Sequence, residues 1–159
     1  MSKHMSTAVV LAVLAFTLGQ QAAAAEHNLE FKLVVKPVEV KSLEAPNVEG
    51  QTVAVMKMHG VAFFKDGRVA SKDFVYSTDF NKGSGPYFGY STYQFEDGST
   101  ITARFAGTQR AGQPNHGEYT VLSGSGVYAG AKGSGFFDSV PHKLTGASLL
   151  SGKFSITTP

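Results

Sequence analysis

The sequence predicts one all-β domain, an eight-stranded antiparallel up-and-down β-barrel, and three observations carry this prediction. Beyond residue 28 the apolar residues follow the two-residue period of strands, and helical periodicity is hard to find. Asp66-Gly67 and Asp97-Gly98 each join two such runs, and an Asp-Gly pair is typical of a tight hairpin. Several runs are also apolar on both faces, which favours a closed barrel over a small sandwich.

The predicted strands follow one another through short connections. The first contains the β-branched and aromatic run FKLVV, the second and third form the hairpin at Asp66-Gly67, and the fourth and fifth form the hairpin at Asp97-Gly98. Looser connections that contain glycine and proline lie at 81–86 and 110–115. The eight strands are predicted at residues 29–36, 52–64, 68–80, 87–95, 99–109, 117–123, 132–141 and 148–157.

The second strand shows why a barrel is preferred. Its two faces are both apolar, with Val53, Val55, Val61 and Phe63 on one and Met56, Met58, Ala62 and Phe64 on the other. A closed barrel leaves no strand edge exposed, and about eight strands enclose space for one small ligand. An apolar outer face needs to be covered by another subunit, so the sequence predicts a homo-oligomer.

The first 25 residues have the three parts of a secretory signal peptide. Lys3 is the positive start, 8–18 is an apolar run, and 20–25 is a stretch of small residues that ends at Ala25. The apolar run is shorter than the about 20 residues that a membrane-spanning helix needs. We therefore expect cleavage after Ala25, a secreted or periplasmic protein, no membrane span, and a single domain over residues 26–159.

Composition excludes several classes of function. The chain has no cysteine, so thiolate nucleophiles, cysteine-bound metals and disulfides are excluded. The formal net charge is +2 without a long basic cluster, which argues against binding to nucleic acid. The histidines show no metal-ligand spacing, and no cofactor is predicted. The expected partner is a neutral, apolar or aromatic small molecule.

The segment 124–135 is rich in glycine but has no phosphate-binding motif. It lacks the Gly-Lys-Ser/Thr ending of a P-loop and the strand-to-helix setting of a dinucleotide fingerprint. Val127 and Tyr128 are residues that form cores, which argues against a flexible linker. Glycines inside β-structure mark bends and close backbone contacts. The segment is therefore predicted to be a bend between two strands that the Tyr128 side chain plugs.

The run GSGVYAGAKG, residues 124–133, fits the pattern G-[ST]-G-x-[FY]-x-G-A-x-G. In this it resembles the allene oxide cyclases and their bacterial barrel-like relatives. It is also similar to the plant dirigent proteins of the same superfamily, which usually carry an arginine where Lys132 stands. The resemblance covers roughly residues 50–157. It implies an eight-stranded barrel, often dimeric or trimeric, with an apolar cavity.

Three functions are compatible with such a barrel. The resemblance implies an isomerase (an intramolecular cyclase) or a dirigent-like coupling guide that holds a reactive small molecule in one conformation. Confinement and orientation lower a barrier without a cofactor. The alternatives are a non-catalytic binding protein for a lipid-like or aromatic compound, and a structural envelope protein with a filled barrel.

Three residues are candidates for catalysis. Either Glu118 or Tyr119 must face inward, and a carboxylate in an apolar barrel would have a raised pKa and could act as acid or base. The alternative for Glu118 is a charge that faces solvent at a strand end. His59 shares a face with apolar residues and could line the cavity, or could be an ordinary core or exposed histidine. The resemblance implies an anion-stabilising role for Lys132.

The predicted ligand-binding residues are tyrosines, because a phenol combines apolar area with one hydrogen bond. The alternative is that these side chains belong to the ordinary barrel core. The candidates are Tyr76, Tyr90, Tyr93 and Tyr119.

Overall fold

The computed structural model describes residues 24–159, which form a closed antiparallel barrel in which each strand pairs with its neighbours in sequence and β8 pairs with β1. All eight predicted strands and the predicted fold class are confirmed. The predicted signal peptide lies almost entirely outside the described residues. The strands are β1 Ala25–Glu44, β2 Gln51–Phe64, β3 Val69–Asn81, β4 Gly85–Phe95, β5 Thr100–Gln109, β6 His116–Ser125, β7 Lys132–Val140 and β8 Ser148–Thr158.

Strand β1 is longer than the sequence predicts. It was expected to end at Lys36, before a proline, but it continues to Glu44. Its pairing with β8 reaches only Val35, so from Pro37 onward one side of β1 is a free edge where a missing N–H is tolerated. A register shift between Pro37 and Glu39 then restores the pairing with β2.

Both hairpins predicted at the Asp-Gly pairs form, but only the glycine of each pair has a positive φ, and the turns run from Phe64 to Gly67 and from Phe95 to Gly98. Gly67 and Gly98 have φ angles of 90° and 81°, which lie in the left-handed region that favours glycine. In each turn the aspartate carboxylate accepts a hydrogen bond from the backbone N–H two residues later, at 3.1 Å for Asp66 and 2.9 Å for Asp97. These turns hold the ends of β2, β3, β4 and β5 together at one end of the barrel.

The glycine-rich segment closes that same end of the barrel. A short 3-10 helix, Gly126–Tyr128, turns the chain between β6 and β7, and the Tyr128 side chain is fully buried. Its ring centroid lies 5.1 Å from that of Phe95, and the Arg68 guanidinium donates to its hydroxyl. A Cβ on Gly124 would lie 2.2 Å from the Tyr128 carbonyl oxygen, so only glycine fits there. We call this the closed end, and the prediction that Tyr128 plugs the bend is confirmed.

The opposite end, where β3 meets β4, β5 meets β6 and β7 meets β8, is the open end. Within the described part of the chain, no helix is long and apolar enough to cross a membrane.

Candidate ligand-binding site

A cavity of about 160 Å³ lies inside the barrel at the open end. Its walls are mostly apolar and aromatic, whereas Gln109, Asn115 and Ser148, at or beside strand ends, form a polar mouth. A dry cavity of about 150 Å³ in another protein accepts benzene, so this space suits a ligand with one ring. The remaining lining residues are Val35, Met58, Lys72, Phe74, Tyr76, Phe80, Tyr87, Phe105, Phe137 and Leu150.

Lys72 is the one charged-type side chain that lines this cavity, and it is only 2% exposed. Its Nζ lies 2.8 Å from the Tyr119 hydroxyl, which lies 3.0 Å from the Tyr93 hydroxyl. Lys72 forms no ion pair with any residue of 24–159. The centroids of five aromatic rings lie 4.5–5.9 Å from Nζ, those of Phe74, Tyr93, Phe105, Tyr119 and Phe137.

Burial controls the protonation of this cluster. It lowers the pKa of Lys72 to about 7, because the surrounding rings attract an ammonium less strongly than water solvates it. Burial also raises the pKa of Tyr119 and of Tyr93, so both phenols keep their protons at neutral pH. At the mouth it raises the pKa of Tyr87 to about 12. The cavity therefore offers an amine that is partly neutral near pH 7, beside hydroxyl donors.

No group of three or more His, Asp or Glu side chains within residues 24–159 could hold a metal ion.

Comparisons with known proteins identify the architecture. No protein-family model matches the chain, and no curated protein matches it. Among solved structures, the pterocarpan synthase dirigent protein GePTS1 matches with a TM-score of 0.57 and 16% identity, over 88% of each chain. The chain has the dirigent-type barrel fold. The pterocarpan synthase dirigent protein PsPTS1 matches with a TM-score of 0.51 and 15% identity, over 86% of this chain and 96% of that chain.

A protein of unknown function from the DUF3224 family of Shewanella oneidensis also matches, with a TM-score of 0.48 and 17% identity, over 86% of this chain and all of the other. The matches to the two dirigent proteins confirm the barrel fold that the sequence resemblance implies.

The dirigent-type barrel brings three of the four predicted tyrosines into its interior. Tyr76 lines the cavity, and Tyr93 and Tyr119 are fully buried beside Lys72. Tyr90 lies on the outer face instead and is 52% exposed. Successive side chains of a strand point to opposite faces, and Tyr90 and Tyr93 on β4 are an odd number of residues apart. Tyr90 therefore points outward, whereas Tyr93 points into the barrel.

The three predicted catalytic residues lie outside the cavity. Tyr119 takes the inward position on β6, so Glu118 is exposed and borders a shallow hollow of the outer surface. His59 is on the outer face of β2, where its Nδ1 lies 2.8 Å from an Asp73 carboxylate oxygen. Lys132 is exposed at the start of β7, at the closed end. A catalytic role for these three residues stays a prediction, and it would need a site on the outside of the barrel.

Lys72 was not among the residues predicted from the sequence. Lysine is almost never fully buried without a partner, so its type argues for an exposed position. The signal that could have found it is the strand period, because Lys72 shares a face of β3 with Phe74 and Tyr76.

Proposed function

We propose that this protein binds a small apolar or aromatic molecule in the barrel cavity. The observation that carries the proposal is the buried side chain of Lys72, which lines an aromatic cavity and has no acidic partner in the described residues. An amine held in such a place makes the folded protein less stable, and groups with strongly perturbed pKa values occur preferentially at functional sites. A cavity open to the polar mouth favours ligand binding over a structural protein with a filled barrel.

We further propose that binding can steer a reaction of the ligand, as a cyclase, an isomerase or a coupling guide. Two proteins that share this fold are described as pterocarpan synthase dirigent proteins. A molecule with one ring, held between the rings of Phe74, Tyr76, Phe105 and Phe137, would keep few of its conformations. Removing conformational freedom in advance lowers the barrier of an intramolecular step or a coupling step. A non-catalytic binding protein is the second candidate, because the same cavity serves both.

We also propose that residues 1–25 direct the chain out of the cytoplasm and are then removed, so the cavity would meet its ligand in the periplasm or outside the cell.

Filling the cavity tests the binding proposal. Leu150 is half-buried in the cavity wall, and we expect Leu150→Phe to weaken the binding of p-cresol by about tenfold or more, because the larger ring occupies the space of the ligand. The matched control is Leu122→Phe, since Leu122 is exposed on the outer face of β6. Titrations followed by NMR would measure both affinities. Equal binding by the wild type and Leu150→Phe would contradict the proposal.

The outer surface supports the predicted homo-oligomer. Apolar side chains about half exposed or more lie on neighbouring positions of the outer faces of β1 to β4, and we call them the outer patch. Burying them against a second copy of the chain would remove apolar surface from water. The outer patch consists of Leu43, Val53, Val55, Val75, Phe88 and Tyr90.

We expect the wild-type protein to sediment as a dimer or trimer and Val55→Lys to sediment as a monomer, because an unpaired ammonium in an apolar interface is costly. Leu122→Lys places the same charge on β6, outside the outer patch, and should leave the oligomer intact. Analytical ultracentrifugation would distinguish these states. A wild-type protein that is monomeric at micromolar concentrations would refute the oligomer.

A further inference from the structure

The hydrogen bonds around Lys72 favour a neutral amine. Tyr93 forms no side-chain hydrogen bond within residues 24–159 other than the one with the Tyr119 hydroxyl. If Nζ is an ammonium that donates to Tyr119, the single hydrogen bond between the two hydroxyl groups uses only one of their two protons, and the other proton has no acceptor. If Nζ is neutral, Tyr93 donates to Tyr119 and Tyr119 donates to the nitrogen lone pair. Only the neutral form satisfies both buried hydroxyl groups.

The groups around the Lys72 amine also favour its neutral form. The titratable groups that face Lys72 are the phenols of Tyr93 on β4 and Tyr119 on β6, with Tyr76 four residues further along β3. The other close neighbours are phenylalanine rings on β3, β5 and β7, and no carboxylate is among them. Burial lowers the pKa of Lys72 in accordance with this arrangement. A desolvated amine beside an apolar cavity is an activated nucleophile towards carbonyl carbon.

We propose that Lys72 forms an imine with an aromatic aldehyde of one ring bound in the cavity, an inference that rests on the proposed binding function. Lys72 lines the cavity, and its Nζ lies 4.5–5.9 Å from the ring centroids of Phe74, Phe105 and Phe137, which line it too. Attack on a bound carbonyl requires that the hydrogen bond with Tyr119 opens. The volume of about 160 Å³ limits the ligand to about one ring with a short substituent. The amide and hydroxyl groups of the mouth, Gln109, Asn115 and Ser148, suit a polar substituent at the far side of that ring.

The reaction balances without a further reactant. The nitrogen lone pair forms a bond to the aldehyde carbon, the C=O bond becomes a C–OH group, and one N–H proton moves to that oxygen. The Tyr119 hydroxyl, released from Nζ, then donates its proton to the leaving hydroxyl group, which departs as water. The second N–H proton returns to Tyr119, and the products are one imine and one water. Tyr119 thereby supplies general acid catalysis, and Tyr93 keeps its hydroxyl in place.

Reductive trapping tests this proposal on the full mature chain. We expect 4-hydroxybenzaldehyde with sodium cyanoborohydride at pH 7 to place one hydroxybenzyl group on Lys72, faster than on exposed lysines such as Lys132, as mapped by peptide mass spectrometry. Exposed lysines remain almost fully protonated at this pH. The Lys72 rate should increase with pH and level off above about 7, whereas the rates at exposed lysines continue to rise.

Two variants distinguish the role of the Lys72 amine from the role of the Tyr119 hydroxyl group. Lys72→Met should lose the label at this position while exposed lysines keep theirs. Tyr119→Phe keeps the ring and the amine but removes the proton donor, so labelling of Lys72 should slow by about tenfold or more. Labelling of Lys72 at the rate of Lys132 in the wild type would overturn the proposal.

Binding measurements distinguish failure of the imine from failure of the cavity. If 4-hydroxybenzyl alcohol binds in the cavity by NMR and Lys72 is not labelled, the imine is refuted and the binding function stands. If neither binding nor labelling occurs, both are refuted. If 4-hydroxybenzoate binds more tightly than the alcohol and Lys72 stays unlabelled, the amine is a cation that pairs with an acid, which also refutes the imine.

Discussion

The variant Lys72→Met is expected to be more stable than the wild-type protein at pH 7 by about 2–4 kcal/mol. Burial lowers the pKa of Lys72 from 10.5 to about 7, which corresponds to about 5 kcal/mol of destabilisation at about 1.4 kcal/mol per pKa unit. Methionine fills a similar space without a charge. It also removes the acceptor for one proton of the buried Tyr119–Tyr93 hydroxyl pair, which offsets about 1–3 kcal/mol of the gain.

The gain should depend on pH in a defined direction. Between about pH 7 and 10.5 the unfolded chain carries a proton on Lys72 that the folded chain lacks, so the free energy of unfolding of the wild type rises with pH. The destabilisation is complete below about pH 7 and disappears above the unfolded pKa. The difference between variant and wild type should therefore shrink by about 1.4 kcal/mol per pH unit between about pH 7 and 9.

Urea denaturation of both proteins across that range would measure the difference. Contributions from the buried tyrosines are nearly the same in both proteins and largely cancel. Lys132→Met is the matched control, because Lys132 is exposed and its replacement should change stability by less than about 0.5 kcal/mol at every pH. A Lys72→Met protein that is less stable than the wild type at pH 7 would contradict the prediction. It would show that the contacts of the Lys72 amine stabilise the folded chain by more than its desolvation destabilises it.

The fold was predictable because its determinants are local. The turns from Phe64 to Gly67 and from Phe95 to Gly98 are each closed by a hydrogen bond within four residues, and Gly67 and Gly98 adopt the positive φ that ends each turn. The end of β1 was not predictable in this way. Whether Pro37 stops the strand depends on whether β8 continues beside it, and that is set by the length of a distant part of the chain.

The site was only partly predictable. The two-residue period of a strand shows which residues share a face, but it does not show which of the two faces points into the barrel. On β6 the sequence left Glu118 and Tyr119 as alternatives, and the barrel buries the phenol because a buried carboxylate without a partner is far more costly. On β3 the inner face carries Lys72, against the general preference of lysine. Its place depends on rings contributed by four other strands, β4 to β7, which no local pattern joins.

The glycine-rich motif at residues 124–133 predicts the fold but says little about the ligand, and the reason is its position in the barrel. It closes one end of the barrel, whereas the cavity lies at the other. The side chain that gives the motif its structural effect is Tyr128, which lies between Phe95 and His27, with ring centroids 5.1 Å and 5.3 Å away. Because Tyr128 is buried at the closed end, away from the cavity, replacing it should lower the stability strongly and change ligand binding little.

Replacing Tyr128 with alanine is therefore expected to lower the free energy of unfolding by about 3–5 kcal/mol, the usual range for removing a buried aromatic ring. The neighbouring Val127 is 57% exposed, so Val127→Ala should change stability by less than about 1 kcal/mol. Tyr128→Phe keeps the ring and removes only the hydrogen bond from Arg68, which should cost about 1–2 kcal/mol. Chemical denaturation of the three variants would rank them.

The same variants separate the two ends of the barrel. Tyr128→Phe should bind p-cresol with the wild-type affinity, because its change lies at the closed end and the cavity lies at the open end. If Tyr128→Phe kept its stability but lost p-cresol binding, the closed end would be part of the ligand site. If Tyr128→Ala were as stable as Val127→Ala, the motif would not hold the closed end together. Either result would contradict the division of this barrel into a structural end and a binding end.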